Sequence, residues 1–529
     1  MPAPTHTALA LLCALAPSAA FAGPTPDRAP GVQPASMVPQ GGAAGPAPAK
    51  AEEPQQKLRG WIEQVLGAGA KLTRQGDHWR ITYSLGALPG ISSLKGGDIA
   101  FSAYPLIGGR WVFYDYGMNS PLSFRADLPP ASAGIGVPSK MRPLEVTVSF
   151  GQLGSDAIVD PEFATPSTLM TRLERYDVFT RSGAMRQRLH FDSADGQMTA
   201  IPDADGRIDV TGMSRAEEFA AVVVNAPDLP PAALAIGRVQ LTAALRQIDR
   251  KRALAAMGSL YQVSNQALAA MPSRNGENGG AAASGAEAPT PKPGRPDLRA
   301  LYTMLRGIAG GGEISETLED VRGEAGGHMG AIGHMSIGAD IGAPNGSLIA
   351  HLSFAFDGIA SPDIPPEARA FVPRHVLVQP TFSGMDLAEL DALIMAATAP
   401  GAKPSLAQPE IARRIAALFA HGGITAGLDT LELDLGDTRF GATGKITALA
   451  PDRYKGEAEV TATGFDALVA KVQATPEIAK AAPFVQLLGK IGHAEGERIV
   501  WTIISDNADV KVNGLDISAM LAVGKEHEK

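Results

Sequence analysis

The stretch LEVTVSF, residues 144–150, decides the fold class, because Leu144, Val146, Val148 and Phe150 alternate with Glu145, Thr147 and Ser149. A period of two puts apolar side chains on one face of an extended chain and polar ones on the other. That is the mark of an antiparallel strand with one face buried and one wetted. The pattern recurs along the chain. Met185, Leu189 and Phe191 alternate with Arg186, Arg188 and His190, and Leu431, Leu433 and Leu435 with Thr430, Glu432 and Asp434. Lys455, Glu457, Glu459 and Thr461 share a polar face opposite Ala458 and Val460. Asp195-Gly196 and Asp205-Gly206 fit tight hairpin turns, since Gly and Asp tolerate positive φ.

Helical spacing is rarer. It is found at Leu298, Leu301, Tyr302, Leu305 and Ile308, and at Ile411, Ile415, Leu418 and Phe419, where Arg413 and Arg414 turn away. A longer helix is expected from about Asp249 to Met271. Strand runs broken by helices, without regular β-α-β alternation, predict an α+β protein with large antiparallel sheets, amphipathic helices and two related sheet-rich halves.

Composition sets the boundaries. Gly and Pro supply 100 of 529 residues, well above the usual share of roughly 12%. Much of the excess falls in two stretches. Residues 23–56 are rich in Pro and Ala, and residues 273–297 contain no apolar side chain larger than Ala or Pro, so both read as disordered. Residues 1–22 read as a signal peptide, a short apolar run closing on Ala20-Phe21-Ala22, although only His6 could add side-chain charge before it. This leaves a sheet-rich N-terminal half over 57–272 and a C-terminal half over 298–529, in a periplasmic protein. The one cysteine, Cys13, lies in the leader and follows Leu12, which is too large for a lipid-attachment site, so residues 23–529 hold no thiol. Thiol nucleophiles, disulfides and Cys-based zinc sites are thereby excluded. A net charge of −9 argues against a nucleic-acid partner, and no apolar run is long enough for a transmembrane helix.

A short junction recurs in Thr211-Gly212-Met213-Ser214, Ser383-Gly384-Met385-Asp386, Thr463-Gly464-Phe465-Asp466 and Asn513-Gly514-Leu515-Asp516. Each reads polar, Gly, large apolar, then a residue suited to cap a helix. Gly lets the chain leave the sheet, and Ser or Asp accepts the first unpaired helical N–H groups. Ser214 with Glu217 and Asp386 with Glu389 have capping-box spacing, and Met385 with Leu390 and Leu515 with Met520 have staple spacing. Repeated strand-turn-helix units are expected, with capping rather than catalysis as the role of these residues.

Gly464-Phe-Asp-Ala-Leu468, Gly384-Met-Asp-Leu-Ala-Glu-Leu390 and Val512-Asn-Gly-Leu-Asp-Ile-Ser518 resemble segments of uncharacterised exported proteobacterial proteins classed as domains of unknown function. More distantly, residues 374–520 are similar to envelope proteins of the AsmA type. The resemblance implies an envelope location, an elongated sheet and an association with lipid. It carries no catalytic residues. The lack of an N-terminal membrane helix and the length of the expected helices depart from the AsmA pattern.

Familiar chemistry is sparse. His328-Met329 and His334-Met335 could suit copper, but on a strand the two His share one face and the two Met the other. Surrounding glycines leave a loop open as an alternative. Asp203, Asp205 and Asp209 lack the spacing of a calcium loop and read as a hairpin turn. Ser92-Ser93-Leu94-Lys95 matches a Ser-x-x-Lys nucleophile pattern without the accompanying Lys-Thr-Gly element. Arg246, Arg250, Lys251 and Arg252 form a basic cluster that suits a solvated helix face or an anionic head group. No catalytic, cofactor-binding or metal-ligating residue is therefore expected, and no cofactor. The expected role is a non-enzymatic envelope protein binding a lipid, another hydrophobic ligand or an envelope partner. The rival is a periplasmic hydrolase with an unfamiliar site of His and carboxylates.

Overall fold

The structure, a computed structural model, describes residues 52–66, 70–84, 91–96, 98–118, 120–126, 144–161, 166–203, 205–224, 230–249, 252–253, 307, 309–398, 409–420, 422–507 and 509–517. The expected signal peptide, nearly all of the first Pro-rich stretch, the 273–297 linker, Arg250 and Lys251, the helix after the linker and most of the 249–271 helix lie outside these residues. The chain is mostly antiparallel sheet with a minority of helix, in keeping with α+β. The described residues fall into two compact units. The first lies within Met1–Pro231, Leu241–Asp297 and Leu301–Ala309, the second within Ala232–Gln240, Leu298–Ala300 and Gly310–Lys529.

The first unit opens with helix α1 (Glu52–Leu66). Its strands are β1 (Lys71–Gln75), β2 (His78–Ser84), β3 (Ile91–Lys95), β4 (Asp98–Pro105), β5 (Trp111–Met118), β6 (Leu122–Ala126), β7 (Leu144–Ser149), β8 (Gln152–Val159), β9 (Thr168–Ser182), β10 (Met185–Pro202) and β11 (Ile208–Val224). Strand β12 (Ala232–Ile248) gives Ala232–Gln240 to the second unit and its remainder to the first. The LEVTVSF stretch is β7 and Phe150, with Val146 and Val148 buried.

Strand β9 is the fork of the unit. Its start pairs with β8, its end pairs with β7, and β10 lies along its other edge. Arg175, at φ 50°, marks the break between the two pairings, where an irregularity lets one strand turn and serve two partners. Helix α1 supplies Leu58, Trp61 and Ile62 to the core, where Trp61 meets Phe113 edge-on at 5.7 Å. Burying Leu58 and Ile62 contributes about 1.5–3 kcal/mol each. This helix corrects the expected disorder through residue 56. Pro54 lies in the first turn, where its missing N–H has no partner to lose.

Asp195-Gly196 is also corrected. It is interior to β10, opposite Arg172 and Thr171 on one side and Arg215 and Ser214 on the other. Pairing along both edges outweighs the local turn preference. Asp205-Gly206 does turn: Gly206 has φ 74°, and Asp203 Oδ1 accepts from the backbone N–H of Asp205 and Arg207 at 2.9 and 2.8 Å.

The second unit is a meander. Its elements are β13 (Gly311–Ala325), β14 (His328–Gly342), β15 (Ser347–Asp357), β16 (His375–Asp386), α2 (Leu387–Ala397), α3 (Pro409–Leu418), β17 (Ile424–Asp434), β18 (Arg439–Ala450) and β19 (Arg453–Thr463). They continue with α4 (Phe465–Ala474), α5 (Ala482–Ile491), β20 (His493–Glu495), β21 (Arg498–Asp506), β22 (Asp509–Val512) and β23 (Leu515–Asp516). Strands β13 to β19 pair in sequence, β21 follows β19, and β22 and β23 complete the order. A helix pair twice replaces a short turn between neighbouring strands, α2–α3 between β16 and β17 and α4–α5 between β19 and β21.

Two of the four junctions mark these insertions. Asp386 caps α2, its Oδ1 accepting from Ala388 N–H at 2.8 Å and Glu389 N–H at 3.1 Å. At the next, helix α4 starts two residues earlier than expected. Gly464, left-handed at φ 67°, occupies the cap position, and Asp466 sits in the first turn. The other two junctions are corrections. Thr211-Gly212-Met213-Ser214 runs straight through β11, held by β10, and Glu217 pairs with Arg215 instead of capping. Asn513 and Gly514, at φ 49° and 81°, form the turn of the β22–β23 hairpin, the commonest use of Asn-Gly. The repetition therefore resides within the second unit.

Helix α3 buries Ile411 and Leu418. Glu410 accepts hydrogen bonds from Arg413 at 2.9 and 3.1 Å and from Arg414 at 2.9 Å. Arg413 first and Arg414 second lower its carboxyl from 4.5 to about 2. Because the folded-state value is depressed, the stabilisation is present above pH 4.5 and fades as the pH falls to about 2. Stability curves of the wild type and Glu410→Gln should run apart at neutral pH and converge across that window. Parallel curves would remove the effect.

Candidate functional site

Register turns strand alternation in the second unit into two unlike faces. One face is polar and laced with ion pairs, including Arg439–Asp434 at 3.1 Å, Lys445–Glu457 at 2.8 Å and Lys455–Asp506 at 3.6 Å. The hydrogen bond to Glu457 pushes the Lys445 ammonium pKa up. The other face is apolar, and successive strands align it in rows. Met335, Phe356, Val376, Leu433, Phe440 and Ala462 form one row across β14 to β19, and Ile337, Phe354, Val378, Leu431, Ala442 and Val460 form another. A third row, nearer the ends of β16 and β18, runs Ile341, Ala350, Phe382, Ala426, Ile446 and Gly456. At about 4.8 Å per strand, each row crosses roughly 24 Å.

Cover over this face is uneven. Helices α4 and α5 close it near Phe440, Ala462, Ile499, Trp501 and Val512, where Phe465 meets Trp501 edge-on at 5.5 Å. From β14 to β17, by contrast, no apolar side chain of these rows is buried. Ile341, Phe382 and Ile446 are 46%, 45% and 43% exposed. Helix α2 carries Leu387, Leu390, Leu393 and Ile394 and buries none of them. Ordinary core strands would hide such residues, so a run of half-covered apolar side chains marks this face as a candidate site.

The polar face gathers the histidines. His334 Nδ1 lies 3.3 Å from Asp357 Oδ2, and His375 Nδ1 lies 2.5 Å from Asp357 Oδ1. His375 Nε2 is 3.9 Å from Glu432. One carboxylate thus lies between two imidazoles across three adjacent strands, hydrogen-bonded to that of His375. Farther along, Thr381 donates its hydroxyl hydrogen to Asp429, and His351 Nδ1 lies 3.5 Å from that same carboxylate. Thr381 Oγ1 also lies 3.3 Å from His351 Nδ1, so hydroxyl, imidazole and carboxylate form one exposed cluster on this face.

The residues singled out in the sequence do not converge. His328 and His334 lie on β14, as the strand alternative requires. His328 pairs with Asp363 at 3.2 Å, while Met335 joins the apolar row on the opposite face from His334. Among the described residues, no group of three or more His, Cys, Asp or Glu is set to hold a metal ion. Asp209 accepts from Gln247 N–H at 2.7 Å, away from the Asp203 turn. Ser92 to Lys95 lies in β3. Arg246 is exposed on β12, and Arg252 pairs with Asp249 at 3.6 Å. The aligned rows escaped sequence reasoning. Alternation in single strands hinted at them, but only register shows that apolar positions of successive strands fall side by side.

Comparison with known proteins adds no relative. The chain matches no family model, no curated protein and no solved structure. Among the described residues, no helix is long and apolar enough to cross a membrane.

Proposed function

We propose that this is an exported envelope protein that binds the acyl chain of a lipid, or a similar hydrophobic ligand, on the open apolar face of its second unit. Ala20-Phe21-Ala22 supports export, and the resemblance of residues 374–520 to envelope proteins agrees with it. The observation that carries the reading is the set of aligned rows left only partly covered over β14 to β18, with Ile341, Phe382 and Ile446 the most exposed. A row of about 24 Å exceeds the roughly 15 Å that one leaflet's acyl chain occupies, half of a hydrocarbon core. Binding needs no catalytic group, and the action proposed is capture rather than turnover. The rival hydrolase draws on the His334–Asp357–His375 row. Ester hydrolysis by the full chain, abolished by His375→Ala, would establish that rival instead.

Native mass spectrometry of protein purified from an exporting host should show bound lipid, recoverable by extraction. The double variant Phe382→Asp, Ile446→Asp should weaken retention by about 2 kcal/mol, roughly thirtyfold. Its melting temperature should scarcely move, because both side chains are half exposed. Ligand-free wild type, or a double variant that keeps its lipid, would count against the proposal.

A further inference from the structure

The apolar rows are not the only uncovered hydrophobic surface in the second unit. Helix α5 turns Leu488 and Ile491 toward the Trp501 core. The same helix leaves Phe484 and Leu487 exposed, at 59% and 42%, and Ile478 stands exposed just ahead of it. Lys480 precedes these residues and Lys490 follows them, both exposed. Neither lysine is in an ion pair among the described residues. From Ile478 to Gly492 the chain carries these two lysines and no acid, with Glu477 just before, in a protein of net charge −9.

Charge selects the occupant of this surface. Lysine is depleted from the cores of protein–protein interfaces, where its desolvation is costly. Flanking an aromatic and aliphatic patch, it instead suits a lipid surface, where apolar side chains enter the acyl boundary and ammonium groups stay among anionic head groups. We propose that the solvent-facing side of α5 docks the protein on a bilayer carrying anionic head groups, with Phe484 and Leu487 inserted and Lys480 and Lys490 at head-group level. This surface is separate from the apolar sheet face, so docking stands or falls independently of lipid capture. If both hold, α5 brings the open face to a source of acyl chains.

The test is flotation of the full chain with vesicles of phosphatidylethanolamine and phosphatidylglycerol, against vesicles of phosphatidylcholine alone. The wild type should float with the anionic vesicles and far less with the neutral ones. Lys480→Glu, Lys490→Glu should lower the partition coefficient at least tenfold. Phe484→Ser, Leu487→Ser should do so by a similar factor. All four side chains are exposed, so circular dichroism and melting temperature should stay at wild-type values. Failure of the wild type to float on anionic vesicles would overturn the proposal, as would variants that float unchanged. Lipid recovered by native mass spectrometry from a protein that does not float would reject docking and leave the ligand site standing.

Discussion

Replacing Gly464 with valine should destabilise the second unit by about 4 kcal/mol and detach the α4–α5 helix pair. Gly464 sits at φ 67°, a conformation that a β-branched residue adopts only with strain. A Cβ there would also overlap the carbonyl oxygen of Asp437, which is backbone and cannot swing away. The same residue ties the turn together, because its own carbonyl accepts from Thr438 Oγ1 at 2.9 Å and Thr438 is fully buried. Denaturant unfolding followed by far-ultraviolet dichroism should show the loss. Gly514→Ala is the matching control. Gly514 also has positive φ, at 81°, but open space surrounds it, so its cost should be about 1 kcal/mol. Equal losses at the two sites would mean that φ alone matters and that the close approach to Asp437 does not.

Trp501→Ala should cost a comparable amount, about 3–5 kcal/mol, through loss of packing and the cavity left behind. Trp501 holds α4 and α5 to β21 in two ways. Its ring meets Phe465 of α4, and its Nε1–H donates to the Leu488 carbonyl of α5 at 2.9 Å. Trp501→Phe keeps most of the packing and removes the hydrogen bond, so it should cost about 1–2 kcal/mol. The chain has four tryptophans, and Trp501 alone belongs to the second unit. Its fluorescence should therefore be lost at the second unit's own transition. An alanine variant within about 1 kcal/mol of wild type would show that the helix pair is anchored elsewhere.

The strands were legible because each carries its own period of two, as Leu144 to Phe150 and Leu431 to Leu433 do. Turns were legible where a single pair of residues decided them, as at Asp205-Gly206. Local signals misled where long strands override them. Asp195-Gly196 and Thr211 to Ser214 resemble turns and caps in isolation, but β10 is hydrogen-bonded along both edges and β11 runs beside it, which holds them extended. Asn513-Gly514 has the spacing of a helix junction yet forms a hairpin, because β22 lies within reach to pair with β23.

The proposed site was the least legible feature. Nothing in the spacing of Ile341, Phe382 and Ile446 along the chain places them together. Their row exists because of how β14 to β18 pair, with an irregularity in β17 between Leu428 and Leu431 that shifts the register yet keeps the apolar set on one face. A slip by one residue would carry a strand's apolar set to the other face. The shared Asp357 carboxylate between His334 and His375 is hidden in the sequence for the same reason.

A fatty acid bearing a photoreactive diazirine in its chain tests the apolar face most directly. Irradiated with the full chain and mapped by peptide mass spectrometry, it should label peptides containing Ile341, Phe382 and Ile446, and that labelling should fall in the Phe382→Asp, Ile446→Asp variant. Labelling confined to the first unit, or spread evenly and unchanged by the two substitutions, would contradict an acyl-binding face on the second.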